Sequence, residues 1–222
     1  MKKGDLILCF DFDGTIVDTA EIKFQSFLEV FSFLSKDKLI KAKKILFQNQ
    51  GLPRKQKFEK IFTEVLNKDI TKEIISELSS KLDSCIKSRE KGKINLLGDI
   101  KKFLKKYNGQ ILFFITSAAP KNEIICKLKK TDILKYFEKV SGSEISKETF
   151  LREIKKIYLP SSKNIYMIGD NLSDLNAAKN SGVKFIGYGN NKEMNKSANI
   201  SISNYFQLVE ILGLKNKKET FT

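Results

Sequence analysis

The chain has 222 residues, 41% of them apolar and 30% charged, enough to bury a sizeable core in one domain or in a core domain carrying an insertion. A formal charge of +15 raises nucleic acid as a partner, but only Arg54, Arg89 and Arg152 are arginines and no basic stripe with interleaved aromatics appears. Composition therefore argues against disorder and against a nucleic-acid binder, and leaves an anionic small molecule as the better match for the charge.

The opening "MKKGDLILCFDFD" imitates a secretion signal, yet LILCF is too short and Asp5 and Asp11 bracket it. No later run is long enough to span a bilayer. Cys9, Cys85 and Cys126 lack C-x-x-C pairing and are expected to be core thiols in a reducing compartment, so a cytoplasmic protein without a membrane partner is expected.

The first predicted strand is 6–10. From about Glu21 to Lys91 only amphipathic helix follows, in "IKFQSFLEVFSFL", "KLIKAKKILFQ", "KQKFEKIFTEVL" and "TKEIISELSSKLDSCI". Such a block predicts an all-helical cap over residues 18–92, inserted into a core made of residues 1–17 and 93–215, with 216–222 as a frayed tail. The core continues with a helix over 97–107 and strands over 111–115 and 164–168. A helix over 173–182 follows, with Ser173 as N-cap and Gly182 as its stop, then strands over 183–188 and 199–202. Strands alternating with helices predict an α/β fold built on a parallel sheet.

Chemistry-bearing residues gather at the strand ends. If the chain stays extended through "FDFDGT", Asp11 and Asp13 point the same way, and both remain ionised only if a cation or a shared proton relieves them. Mg²⁺ takes one or two carboxylates with water and phosphate oxygens, and Mn²⁺ accepts the same ligands. Gly14 permits a sharp turn and Thr15 follows it. "ILFFITSAAP" brings Thr116 and Ser117 to the same edge, where a hydroxyl and backbone N–H groups can hold phosphate oxygens. Lys147, at a helix start about twenty residues before "GDNLSD", offers a cation against phosphate, and Asp170 and Asp174 end another strand one helical turn apart. Each feature has an ordinary reading: an Asp- and Gly-rich turn, a helix-capping threonine, acidic residues at a helix N-terminus. In "QNQGLPRKQKF", Arg54 is either part of a solvated turn or a fork for a second anionic group.

With these residues in this order, the sequence resembles the haloacid dehalogenase superfamily over essentially residues 5–212. "DFDGT" matches its D-x-D-G-T signature, "FFIT" its second motif, Lys147 its third and "GDNLSD" its fourth. The resemblance implies a Rossmann-like parallel sheet core with a helical cap between the first two motifs. It implies Mg²⁺ held by the Asp11 carboxylate, the Asp13 carbonyl and Asp170, with Asp174 as ligand or support. Asp11 would attack phosphorus, Asp13 would act as acid and then base, and Thr116 and Lys147 would neutralise the phosphoryl oxygens. Gly14, Thr15, Ser117 and Arg54 are the candidate substrate contacts.

A second carboxylate at Asp13 points to phosphate esters, because a departing halide needs no proton. "DTAEIKF" looks like the first hinge of β-phosphoglucomutase relatives, but those carry histidine where this chain has Lys23, and the chain has no histidine. The expected activity is Mg²⁺-dependent hydrolysis of a small organic phosphate monoester, resembling the phosphoglycolate phosphatases. The alternatives are a phosphomutase and a phosphoacceptor or binding protein without turnover. The expected partner is a small phosphorylated metabolite, and no oligomeric state follows from the sequence.

Overall fold

Burial on both faces explains why the two strands β1 (Leu6–Phe10) and β2 (Leu112–Thr116) are continuous apolar runs rather than alternating ones. Both are buried at every position. They join β3 (Phe137–Ser141), β4 (Asn164–Gly169), β5 (Lys184–Tyr188) and β6 (Ser201–Ile202) in a six-stranded, all-parallel sheet of order β3-β2-β1-β4-β5-β6. Phe10 of β1 lies opposite Ile115 of β2 and Ile168 of β4, so β1 ends one residue short of β2 and β4 at the same edge. The structure, a computed structural model, describes residues 5–158, 164–189 and 197–214. Its α/β class and Rossmann-like strand order are those expected from the sequence. The one unexpected strand is β3, where Glu138 and Lys139 are exposed and only Val140 and Ser141 are buried.

The segment Asp18–Asn95 forms a compact helical unit, and the chain before and after it forms the other. The helical unit contains α1 (Ala20–Val30), α2 (Lys36–Gln48), α3 (Arg54–Ile61), which runs into a π turn over Phe62–Leu66, and α4 (Lys72–Glu90). Thr71 starts α4 by accepting the Ile74 N–H on its hydroxyl. The unit has its own core, centred on Phe58, whose ring lies 5.7 Å from that of Phe27 and 5.9 Å from that of Phe31.

In the sheet unit follow α5 (Ile100–Tyr107), α6 (Lys121–Lys130), α7 (Lys147–Tyr158), α8 (Leu172–Ser181) and α9 (Gln207–Ile211). Helices α7 and α8 cover one face of the sheet, packing Phe150, Leu151, Ile154 and Ala178 on Ile7, Cys9, Phe114 and Met167. On the other face Phe103 of α5 meets Phe113 and Tyr205, and both of these meet Phe10.

Three expectations need correction or fall outside view. Ser173 is not the N-cap of α8: Asn171 is, with its side chain accepting the Ser173 N–H and Asp174 completing a capping box, because asparagine is already in place where the helix starts. Cys9 and Cys85 are buried as expected, but Cys126 is exposed on α6. The expected tail at 216–222 lies outside the described residues. Among the described residues no helix is long and apolar enough to cross a membrane.

Phe58→Ala is expected to cost about 3–5 kcal/mol by opening a cavity in the helical unit. Urea unfolding followed by far-UV circular dichroism would measure it.

Candidate active site

β1 ends at Phe10, and the chain then leaves the extended form. Strand alternation therefore does not set the directions of Asp11 and Asp13, as a longer strand would have done. Asp11 is buried, its N–H donating to the Ile168 carbonyl, while Asp13 is half-buried and bridges to Val17. Between them and Val17 the backbone closes a tight turn in which the amides of Ile16 and Val17 both donate to the Phe12 carbonyl. Gly14 makes this turn at φ +81°, where L side chains are strained. A Cβ there would stand 2.4 Å from Asp170 Oδ2, so the turn and Asp170 are packed without slack.

The neighbouring strand β4 delivers Asp170 at its end and Asp174 in the first turn of α8. Glycine is again required: a Cβ on Gly169 would lie 2.4 Å from Asp174 Cγ. Carboxylate oxygens of Asp11, Asp170 and Asp174 all lie within 4.8 Å of one another. They meet where the strand order reverses between β1 and β4, the position at which open parallel sheets gather ligands.

Among the described residues, one cation faces this cluster. Lys147, the first residue of α7, places Nζ 2.6 Å from Asp174 Oδ1, to which it donates, and 2.9 Å from Asp11 Oδ1, an ion-pair contact without good hydrogen-bond direction. Burial opposes the lysine's charge, but Asp11 and Asp174 more than offset it and hold its pKa above the ordinary value. The carboxylates carry the opposite strain. Burial first, then the charges of Asp11 and Asp174, hold Asp170 well above the usual aspartate range; burial and Asp11 push Asp174 up to about 7 against the pull of Lys147. Were all three carboxylates ionised, one ammonium would leave two negative charges, 3 − 1, in a buried space. An all-oxygen donor set with that surplus fits a hard divalent cation.

Thr116 ends β2, one residue beyond the level at which Phe10 and Ile115 pair. Its hydroxyl is fully buried and has no hydrogen-bond partner among the described residues, an arrangement suited to an oxygen of a bound group. Ser117 is differently engaged: its N–H donates to the Ser141 carbonyl and its hydroxyl accepts the Ala119 N–H. The loop after β2 is laced to the loop after β3, since Ser143 N–H donates to the Ala119 carbonyl and Glu144 Oε1 accepts the Lys121 N–H. Thr15 is buried and donates its hydroxyl to Asp170 Oδ1 at 3.4 Å. Arg54 belongs to the helical unit, where its guanidinium donates to Asp83 Oδ1 at 2.7 Å.

The structure thus brings Asp11, Lys147, Asp170 and Asp174 into contact, sets Thr15 against Asp170, and places Thr116 at the adjoining strand end. The carboxylate of Asp13 is not among the three clustered ones. Sequence reading missed the tight approach at Gly169, which is visible only as the glycine ahead of Asp170 in "GDNLSD". It also missed Tyr205, whose hydroxyl donates to the Thr15 carbonyl from 190 residues away, a separation at which no local signal exists.

The carboxylate cluster and Lys147 lie at the switch point of a doubly wound α/β sheet, and sequence identifies the family. The chain belongs to the haloacid dehalogenase-like hydrolases, whose family model matches residues 8–188. No curated protein matches the sequence. Among solved structures, the chain is similar to a β-phosphoglucomutase from Clostridium difficile (21% identity, 96% of each chain covered, TM-score 0.73). It is also similar to a haloacid dehalogenase-like family hydrolase from Streptococcus pneumoniae (17% identity, 94% of this chain and 99% of that one, TM-score 0.69). A third is a protein described as a predicted phosphoglycolate phosphatase from Haemophilus somnus (16% identity, 94% and 97%, TM-score 0.68). At these identities the likeness is one of fold.

Gly14→Ala is expected to destabilise the protein by more than about 1 kcal/mol, from the backbone angle and the displaced Asp170 together, measurable as a lower urea midpoint. A pH dependence also follows. With a chelator present, the Asp174 carboxyl, raised to about 7 in the folded chain, releases its proton near the ordinary aspartate value once unfolded, so stability is expected to fall as pH rises through about 7, and Asp170 is shifted in the same direction. Urea midpoints between about pH 5.5 and about pH 8 would show the fall, and a saturating divalent cation should flatten it by taking the ionised form.

Proposed function

We propose that the protein is a Mg²⁺-dependent phosphomonoesterase acting on a small phosphorylated metabolite in the cytoplasm. The observation that carries this reading is the buried cluster of Asp11, Asp170 and Asp174 against Lys147, beside the Thr116 hydroxyl that has no partner among the described residues. The Asp11 carboxylate, the Asp13 carbonyl and Asp170 would hold Mg²⁺, with Asp174 as ligand or support. When bound, the ion supplies charge neutralisation at the transferring phosphoryl group.

The chain's own residues account for the remainder. The substrate phosphate enters with its oxygens on Thr116 Oγ1 and Lys147 Nζ, with Gly14, Thr15 and Ser117 framing the pocket. A carboxylate oxygen of Asp11 attacks phosphorus, and the bond to the ester oxygen breaks as Asp13 gives that oxygen a proton. Asp13, now ionised, takes a proton from water as the water oxygen attacks the aspartyl phosphate. Inorganic phosphate leaves and both carboxyl groups return to their starting states. The helical unit would act as a cap that excludes bulk water and selects the leaving group. In it, Arg54, oriented by Asp83, is the candidate contact for a second anionic group.

Hydrolysis is favoured over phosphomutase activity by the residue at 23. Lysine there, in a chain without histidine, is a poor proton shuttle near neutral pH for returning a phosphoryl group to a second sugar hydroxyl.

Phosphate release from a panel of monoesters with Mg²⁺ is expected, and chelator should abolish it. Asp11→Asn should lower turnover about a thousandfold or more, and Asp13→Asn about a hundredfold or more. Full turnover by Asp11→Asn would overturn the mechanism, and a labelled phosphoryl group appearing on a second hydroxyl instead of in inorganic phosphate would make the enzyme a mutase.

A further inference from the structure

The turn that carries the proposed nucleophile is braced from the far end of the chain. Tyr205 is completely buried, and its ring is fixed on several sides: it stacks on Tyr188 with centroids 4.8 Å apart and planes 17° apart, and lies 6.0 Å from Phe10 and 6.1 Å from Phe103. Packing alone would be served by phenylalanine, and a buried hydroxyl is costly unless it is bonded. The hydroxyl donates to the backbone carbonyl of Thr15. The segment by which the chain re-enters the sheet unit rests on the same aromatic pair, since a Cβ on Gly98, at φ +52°, would stand 3.1 Å from Tyr188 Oη. That segment is tied to the turn itself, Leu97 N–H donating to the Ile16 carbonyl.

We propose that Tyr205 is a positioning residue for the active-site turn, fixing the Thr15 carbonyl and, through it, Asp170. The path is short and has no slack. Thr15 donates its hydroxyl to Asp170 Oδ1, and at the preceding residue even a methyl group would collide with Asp170 Oδ2. Release of the Thr15 carbonyl therefore shifts the surface against which Asp170 is set, and with it the geometry offered to a cation. Tyr205 touches neither substrate nor metal and acts only through the turn.

The inference rests on the metal-dependent reading of the site, and its test separates the two. Mn²⁺ affinity, read by calorimetry, is compared with kcat and KM in the wild type, Tyr205→Phe and Phe103→Leu. Tyr205→Phe keeps the ring and loses the hydroxyl; it is expected to weaken Mn²⁺ binding and to lower kcat, each about tenfold, with KM little changed. Phe103→Leu loosens the same aromatic cluster without touching the hydrogen bond, and should lower the melting temperature while leaving Mn²⁺ affinity and kcat at wild-type values. Wild-type Mn²⁺ affinity in Tyr205→Phe, or equal losses of affinity in the two variants, would overturn the proposal. Should Tyr205→Phe fail to fold, Thr15→Val cuts the same path one link later and must weaken Mn²⁺ binding; unchanged affinity there would overturn it equally. A wild type that binds Mn²⁺ but hydrolyses no phosphate ester would instead remove the functional reading while leaving the Mn²⁺ comparison decisive for Tyr205.

Discussion

The rest of the site depends on an unequal charge count in a buried place. Lys147 lies between Asp11 and Asp174, Asp170 completes the cluster, and one ammonium cannot balance three carboxylates. Like charges held this close, away from water, either take up protons or recruit a cation. Burial and mutual repulsion push Asp170 and Asp174 toward the first outcome when no cation is bound. The second is the state in which the proposed chemistry runs. Removing the lysine would take away the ammonium that Asp11 and Asp174 share, the situation that makes breaking one member of such a set so destabilising.

The parallel sheet is what makes the arrangement possible. Because β1, β2 and β4 end within one residue of one another, Asp11 and Asp170 just beyond β1 and β4 and Thr116 at the last position of β2 are delivered to one edge without any long side chain having to reach. Two glycines then remove the obstacles: Gly14 lets the turn lie against Asp170, and Gly169 lets Asp174 lie against the strand end. The capping box of α8 gives Asp174 a second duty, since one of its oxygens accepts the Asn171 N–H while the other faces Lys147. Helix start, strand end and candidate cation site are the same few atoms.

Much of this was legible in the sequence because the signals are local. Apolar runs of strand length, an uninterrupted helical block and Asp-rich strand ends gave the α/β class, the helical insertion and the residues that meet in the crevice. What was not legible has physical reasons. β3 is an edge strand with Glu138 and Lys139 facing solvent, so it has no apolar run to betray it. The N-cap of α8 fell two residues before the expected Ser173 because Asn171 and Ser173 are both good caps and only the fold decides between them. Cys126 looked like a core thiol by residue type, although α6 turns that position outward. The contact between Tyr205 and Thr15 is a product of tertiary structure alone.

The most direct test of the charge argument is a calorimetric titration of the chelator-treated protein with Mg²⁺ near pH 7, repeated in two buffers of different ionisation enthalpy. Saturable binding is expected, with a heat that differs between the buffers because protons leave the carboxylate cluster as the cation enters, and Asp170→Asn should weaken it severely. Saturable binding to the wild type with no proton release, or no binding, would contradict the account.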